Sequence, residues 1–257
     1  MGWYEKYIAF YTIMMKEIRR FMRIWIQTVL PAMITTALYF VIFGNLIGRR
    51  IGDMQGVRYI DYIVPGLILM TIITNSYANV VSSFYSSKFQ KNIEEMLVSP
   101  VPNYIILLGY ICGGVARGLM VGVAVTGVAY FFSDMHLHSV LVIVTFAILT
   151  AVLFSLGGFI NAVYAKSFDD ISIIPTFVLT PLTYLGGIFY TINLLPEFWQ
   201  KASLINPILY MVNAFRYGFL GVSDINIWMS YLIVTVFIIG LFAFSLYLLN
   251  KGYGIRT

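Results

Sequence analysis

Long apolar segments dominate this sequence and restrict what it can fold into. A helix that crosses a bilayer needs about 20 mainly apolar residues, and six segments meet that requirement: 25–47, 62–85, 104–132, 139–164, 173–192 and 227–249. Hydrophobic residues make up 60% of the 257-residue chain and charged residues only 11%, against about half and a quarter in soluble domains. The sequence therefore predicts an all-α integral membrane protein with six transmembrane helices.

The residues ahead of the first span repeat apolar side chains at helical spacing. One face would carry Trp3, Tyr7, Phe10, Met14, Ile18 and Phe21, and the other Glu5, Thr12, Lys16, Arg19 and Arg23. A helix of this kind lies in the headgroup layer with its basic face toward anionic lipid. We therefore predict an N-terminal interfacial amphipathic helix over 1–23. The alternative is a cytosolic segment packed on other helices.

The segment 173–221 is apolar but interrupted by residues that break helices. The interruptions are Pro175, Pro181, Gly186, Gly187, Pro196 and Pro207. One span, 173–192, fits here, and we predict that two short outer helices re-enter the membrane over 194–221. They would be separated at Asn206, because the residue before a proline is displaced from helical geometry. Two spans in this segment would instead place the termini on opposite sides.

Lysine and arginine residues are divided unequally between the two sides of the predicted bundle. The side of the termini would hold Lys6, Lys16, Arg19, Arg20, Arg23, Lys88, Lys91, Lys166, Lys251 and Arg256. The other side would hold Arg49, Arg50, Arg58, Lys201 and Arg216. Cytoplasmic loops are enriched in these residues, so both termini are predicted to be cytoplasmic, although the three arginines in one opposite loop oppose that assignment.

The connection KNIEEMLVSPVPN, 91–103, is too short and too charged to cross a bilayer. It predicts a short helix that begins at Asn92, a residue suited to capping, and stops at Pro100. The residues that form an apolar ridge are Ile93, Met96 and Leu97. The acidic residues of the first turn, where they suit the helix dipole, are Glu94 and Glu95. Such a helix fits a groove of a partner protein; the alternative is a helix that only joins two spans.

Motifs for catalysis are absent from the sequence. No G-x-S-x-G, H-E-x-x-H or G-x-x-x-x-G-K-[ST] occurs, so the chain does not hold ATP by a P-loop. The one histidine cluster, DMHLH, contains Asp134, His136 and His138. Two histidines without further ligands nearby are a weak metal signal. We predict no catalytic residue, no metal site and no cofactor in this chain.

Arg117 falls inside the third predicted span. A charge near the bilayer centre costs about 2.5 kcal/mol or more, so such residues usually face protein or water. Arg117 would therefore contact an anionic substrate group or join two helices; alternatively, its side chain reaches the cytoplasmic surface. Its candidate carboxylate partners are Glu94, Glu95 and Asp170.

Polar residues inside the predicted spans define a candidate substrate path. With Arg117, the path residues are Asn75, Asn79 and Ser82 in the second span and Thr180 and Tyr184 in the fifth. The alternative role of these side chains is hydrogen bonding between helices. The residues that repeat every fourth position beside Arg117 are Gly114, Gly118 and Gly122, which predicts close helix packing.

Three segments resemble the ABC-2 type transporter permeases. They are YIVPGLILM at 62–70, KNIEEMLVSPVPNYIILLGYICGGVARGL at 91–119 and GGIFYTINLLPEFWQKASLINPILYMVNAFRYGFLG at 186–221. The motif residues of the third segment are Pro196, Asn206, Pro207, Tyr210 and Arg216. The resemblance extends over nearly the whole chain and is greatest for inner-membrane permeases related to polysaccharide and nodulation-factor exporters.

The resemblance implies a single transmembrane domain over 1–257 in the bacterial inner membrane. It implies a homodimer that works with two copies of a separate ATPase, which would hold the ATP and magnesium; no nucleic acid partner is expected. The helix at 91–100 would be a coupling helix, with its apolar ridge in a cleft of the ATPase. The implied coupling residues are Asn92, Ile93, Glu94, Glu95, Met96, Leu97, Val98, Ser99 and Pro100.

The predicted function is export driven by a partner ATPase. Members of the family resembled here move glycans, lipid-linked sugars, drugs and other amphiphiles. One alternative is a self-sufficient secondary transporter or channel, which would predict inverted repeats and broken helices at the membrane midplane. Another is an intramembrane enzyme that uses His136 and His138.

Overall fold

The computed structural model describes residues 1–135 and 137–254, with the backbone only at 45 and 49. These residues form a helical bundle with one small hairpin. The α-helices are α1 Trp3–Met22, α2 Trp25–Tyr39, α3 Gly48–Ile51, α4 Tyr59–Phe89, α5 Asn92–Val98, α6 Asn103–Ala129, α7 Val140–Tyr164, α8 Asp170–Ile174, α9 Thr180–Tyr184, α10 Glu197–Ser203, α11 Pro207–Leu220 and α12 Ile227–Lys251. The hairpin pairs β1 Asp53–Met54 with β2 Val57–Arg58. The prediction of a helical protein is confirmed. The hairpin was not predicted.

Among the residues that the structure describes, five helical segments are long and apolar enough to cross a membrane: Trp25–Gly44, Tyr59–Phe89, Asn103–Ala129, Val140–Tyr164 and Ile227–Lys251. They correspond to the first four predicted spans and the sixth, with ends that differ by a few residues. The correspondence is expected because lipid offers no partner for backbone N–H and C=O groups, so an apolar segment of this length satisfies them within a helix.

The fifth predicted span, 173–192, has a different form. Its helical part consists of α8, a π-helical segment Pro175–Leu179 and α9, which together end at Tyr184. A helix from 170 to 184 is about 22 Å long at 1.5 Å per residue, against about 30 Å for the hydrocarbon core. The helix stops because the chain turns at Gly187, which has a φ of 71°. The count of six spans therefore stays a prediction.

The helix α4 is central and buried along most of its length. Glycines of the neighbouring helices let it pack closely. A side chain at Gly158 in α7 would meet the Tyr77 carbonyl, and one at Gly118 in α6 would meet the Ile72 carbonyl. The Gly114–Gly122 repeat thus packs α6 on α4 within one chain, and the predicted close packing is confirmed.

The helix α1 packs on α6 through its second half. Its buried residues are Ile13, Glu17 and Phe21, whereas Trp3 and Tyr7 are exposed. Two glycines of α6, Gly109 and Gly113, leave the space into which the Ile13 and Glu17 side chains fit. The position of α1 at the membrane interface stays a prediction.

The hairpin joins α3 to α4. Its turn residues Gln55 and Gly56 both have positive φ, 53° and 80°, as two-residue hairpin turns of type I′ require. The Gln55 side chain donates a hydrogen bond to the Asp224 carboxylate, which ties the hairpin to the loop before α12. Strands of two residues carry no detectable periodicity, which is why the sequence did not predict them.

The two short helices predicted over 194–221 are present as α10 and α11. The first follows Pro196, and the second begins at Pro207, a residue favoured at the first helical position because its missing N–H would have no partner there. The α11 residues are largely buried, and the helix packs against α4, α7 and α12. Their re-entry into the outer leaflet stays a prediction.

Candidate functional site

The helix α5 connects the ends of α4 and α6 through two abrupt turns. Lys91 precedes the helix in the left-handed conformation, with a φ of 61°. Asn92 is the first helical residue rather than the cap, and its amide donates to the Gln90 side chain at 3.2 Å. The predicted capping role of Asn92 is therefore wrong, because the tight turn at Lys91 places Asn92 inside the helix.

The C-terminal end of α5 follows the prediction. The last helical residue is Val98, and Ser99 is extended with a ψ of 156°, as expected for a residue that precedes a proline. The Ser99 hydroxyl donates to the Met96 carbonyl at 2.6 Å and satisfies one of the open carbonyls at the helix end. The chain then passes Pro100 and Pro102 and enters α6.

The apolar ridge of α5 faces the bundle. Ile93 is completely buried (0% exposed), and Met96 and Leu97 pack against the same core. The opposite face carries Asn92, Glu95 and Val98, and the Val98 side chain is 88% exposed. The predicted placement of Ile93 in a partner's cleft is therefore wrong, because this side chain is already buried in the permease core. The free face of α5 is polar with one valine, and the contact of α5 with an ATPase stays a prediction.

A cavity of about 340 Å³ lies between α2, α4 and α6 at mid-span. Its polar lining residues include Gln27, Thr35, Thr71, Thr74, Asn75 and Arg117. Three of these, Gln27, Thr35 and Thr74, are exposed on its open side. Two predicted path residues, Asn75 and Arg117, are thus brought together, with threonines that the sequence reasoning missed.

Arg117 lies in the middle of α6, 14 residues after Asn103 and 12 before Ala129. Its Nε is buried without a hydrogen-bond partner. None of the ion pairs between residues that the structure describes includes Arg117, so its predicted pairing with Glu94, Glu95 or Asp170 is not formed. The Asp170 carboxylate instead accepts hydrogen bonds from the backbone N–H groups of Lys166 and Ser167.

The α4 side chains that line the cavity donate to their own helix. Thr71 donates to the Ile68 carbonyl at 2.7 Å and Thr74 to the Met70 carbonyl at 3.0 Å. The Asn75 amide likewise donates to the Thr71 carbonyl at 3.0 Å. Since each hydroxyl or amide oxygen retains its lone pairs, these side chains present acceptors to the cavity, whereas Arg117 presents donors.

A buried polar cluster joins α1 to α4 beside the cavity. The Glu17 side chain is 0% exposed and pairs with Arg20 at 3.3 Å. Arg20 also donates to the Asn79 carbonyl at 2.9 Å and to the Asn79 side-chain oxygen at 2.8 Å. Sequence reasoning assigned Arg20 to the solvated side and Asn79 to the path. The available signal was Glu17, an acidic residue three positions before Arg20 in the basic second half of the helix.

The remaining path residues do not line the cavity. Ser82 donates to the Asn79 carbonyl at 3.2 Å, and Thr180 to the Pro175 carbonyl at 2.9 Å. Tyr184 reaches the cavity indirectly, through Phe189. The Phe189 ring lies 5.9 Å from that of Tyr184 and 6.0 Å from that of Tyr39, which lines the cavity.

A family model described as ABC-2 type transporter matches residues 8–220 of this chain, well over half of its length. The chain belongs to the ABC-2 type transporter family. The inner membrane transport permease YadH of Escherichia coli (strain K12) is 56% identical over 251 residues, which cover 98% of both chains. Nodulation protein J of Rhizobium leguminosarum bv. viciae is 21% identical over 227 residues, 88% of each chain. The resemblance seen in the sequence is confirmed, and the chain is a multi-pass transport permease of the bacterial inner membrane.

In this ABC-2 permease the motif residues after the fifth predicted span hold the short helices in place. Asn206 accepts a hydrogen bond from the Ile208 N–H at 3.0 Å as the cap of α11, and it donates to the Leu182 carbonyl at 2.6 Å. Tyr210 donates to the Leu204 carbonyl at 2.8 Å. Together with the two prolines, Pro196 and Pro207, these contacts serve packing rather than an open site.

The histidine cluster gives the ABC-2 permease no metal centre within the residues described. His138 lies 3.3 Å from the Tyr217 hydroxyl, and Gly221 packs against its ring. His136 lies outside the described residues. No group of three metal-ligating side chains occurs in the described ranges, 1–135 and 137–254.

Proposed function

We propose that this chain is the membrane-spanning subunit of an ATP-driven exporter. A separate ATPase would hold ATP and magnesium, and two copies of the permease would bind two copies of the ATPase. The cargo would be an amphiphile, a glycan or a drug-like molecule. The observation that carries the proposal is α5: a short helix with a free face, fixed directly between two long helices of an ABC-2 permease.

The free face of α5 supports its role as the contact for the ATPase. Asn92, Glu95 and Val98 are exposed on it, whereas Ile93 is anchored in the permease core. A force applied to this face reaches α4 through the turn at Lys91 and α6 through the extended segment at Ser99. Both of these long helices line the mid-span cavity. Displacement of α5 would therefore change the shape of the cavity.

The open side of the cavity supports a dimer. Thr35 and Thr74 are polar and exposed near the middle of their spans, where contact with lipid tails is unfavourable, and Gln27 is exposed nearer the start of α2. A second copy that covers this side, or an aqueous path between two copies, would satisfy these residues. We therefore place the homodimer contact and the substrate path on the face formed by α2 and α4.

The test is assembly with a candidate P-loop ATPase, sought first in the neighbouring reading frames, measured by co-purification and by stimulation of ATP hydrolysis. Glu95→Lys and Val98→Asp alter the free face without disturbing the core, so each should weaken the complex at least tenfold. Glu197→Lys in α10 makes the same charge change at another exposed position and should leave the complex intact. Full assembly and stimulation in both α5 variants would refute the proposal.

A further inference from the structure

We infer that Arg117 and the threonines around it bind an anionic, hydroxyl-rich headgroup of the exported molecule, such as a uronic acid or a sugar phosphate. The inference rests on the proposed function for its biological meaning. The binding itself requires only the permease, so it can be measured without the ATPase.

Charge balance supports an anionic ligand. Arg117 and the Glu17–Arg20 pair lie close together, because Glu17 packs on Gly113, one helical turn before Arg117. The only carboxylate described in this cluster, Glu17, pairs with Arg20 through one oxygen, and its other oxygen is buried without a hydrogen-bond partner. Two guanidiniums and one carboxylate leave one positive charge uncompensated inside the bundle. Intramembrane charges are usually paired, so a negative group brought by the cargo would complete the site.

The donors and acceptors of the cavity support a ligand that also carries hydroxyls. Arg117 offers N–H groups only, which match a carboxylate or a phosphate. The side-chain donors of Thr71, Thr74 and Asn75 are hydrogen-bonded to carbonyls of their own helix, so these side chains offer oxygen lone pairs to a ligand. A simple anion would use the arginine alone. A sugar acid or sugar phosphate would also donate its hydroxyls to these oxygens.

The size and position of the cavity limit what fits. A volume of about 340 Å³ is near the lower end of the range of roughly 300–1,000 Å³ found for ligand sites. It accommodates one sugar-sized group rather than a complete glycolipid. The lipid part of an amphiphile would remain on the open side, next to the exposed apolar residues Leu30, Ile34 and Leu38 of α2.

The experiment measures binding of three matched probes to the permease alone, in nanodiscs of uncharged lipid. The probes are hexyl glucuronide, which has both the charge and the hydroxyls, hexyl glucoside, which has only the hydroxyls, and hexyl sulfate, which has only the charge. We expect the glucuronide to bind at least tenfold more tightly than either of the others. Equal affinity for the three probes would overturn the inference.

Substitutions test the arginine and the threonines of the site individually. Arg117→Gln should remove the preference for glucuronide over glucoside, and Thr74→Val should weaken the glucuronide several-fold without changing the sulfate. Arg50→Gln removes an exposed arginine elsewhere and should change nothing. If Arg117→Gln does not fold, Arg117→Lys, which keeps the charge but loses the fork geometry, should retain a reduced preference. A preference that survives in a folded Arg117→Gln variant would contradict the inference, whatever the outcome of the assembly experiment.

Discussion

The guanidinium of Arg216 lies 3.8 Å from the centroid of the Tyr62 ring and donates a 3.3 Å hydrogen bond to the Tyr62 carbonyl. It also donates to the Gly187 carbonyl at 2.6 Å. The side chain is 1% exposed, so this one residue holds α11, the start of α4 and the turn after α9 together inside the protein. The arginine of the sequence motif therefore serves the architecture of the ABC-2 permease, and several predictions about its packing can be tested directly.

Replacing Arg216 with Met should destabilise the permease without acting on the cavity. The buried Gly187 carbonyl would lose its Arg216 donor, at a cost of about 1–3 kcal/mol, and the cation–π contact with Tyr62 is lost as well. Arg216→Lys keeps the charge but cannot reach both carbonyls with its single ammonium group, so its thermal unfolding temperature should fall between those of the wild type and Arg216→Met. Equal unfolding temperatures of the three proteins would contradict this role.

Gly158→Ala should destabilise the bundle, whereas Gly157→Ala should be tolerated. A β-carbon at 158 would lie 2.5 Å from the Tyr77 carbonyl oxygen, and one at 157 would lie 3.7 Å from the nearest Tyr77 ring atom. Forced overpacking of this kind costs about 1–3 kcal/mol, while alanine is favoured over glycine in a helix. Thermal unfolding of the two purified variants provides the comparison, and an equal effect would disprove the close contact between α7 and α4.

Glu17→Ala should loosen α1 from the bundle. The change leaves the partly buried Arg20 without its carboxylate, at an expected cost of about 1–3 kcal/mol, and opens the space beside Gly113. Limited proteolysis within α1 should become faster, and the thermal unfolding temperature should fall. The matched control is Arg19→Ala at an exposed position of the same helix, which should stay within about 0.5 kcal/mol of the wild type. A faster cleavage in the control alone would argue against the buried pair.

The Asp170 carboxylate should stabilise the start of α8 in a pH-dependent manner. Hydrogen bonds from the Lys166 N–H and from Ser167 hold the pKa of Asp170 below its usual value. Its stabilising contribution is therefore complete above the pKa of the unfolded chain and disappears as the pH falls through the lowered folded pKa. A carbon NMR titration of the carboxylate should show the depressed midpoint, and Asp170→Asn should remove the transition. A midpoint at the ordinary value for aspartate would contradict the contact.

Five spans and the two short helices before α12 could be predicted from the sequence, because the lipid environment requires the spans to be helical and prolines restrict the ends of the short helices. A long apolar segment has one stable solution in lipid, and prolines such as Pro207 restrict where a helix begins. The sequence predicted the orientation of side chains less well. Ile93 has the spacing of a surface ridge, yet it faces inward, and α1 presents Glu17 rather than Trp3 to the bundle.

The same limit applies to the cavity. Arg117 and Asn75 were identified as candidate path residues because polar groups are rare inside spans. The cavity threonines Thr35, Thr71 and Thr74 were not identified, since a hydroxyl that donates to its own helix, as in Thr71 and Thr74, is a common feature of apolar helices. These threonines face the same cavity only because of how α2 packs against α4 and α6. No local sequence pattern predicts that packing.

Burial of Ile93 has a mechanical consequence. If α5 swung independently, this isoleucine would enter water at a cost of about 1.5–3 kcal/mol, which makes such an excursion roughly ten- to a hundredfold rarer than the packed state. If a partner ATPase binds α5 as proposed, the buried isoleucine would make the two long neighbouring helices follow the movement of α5. Few nucleotide cycles of the partner would then end without a change in the membrane interior.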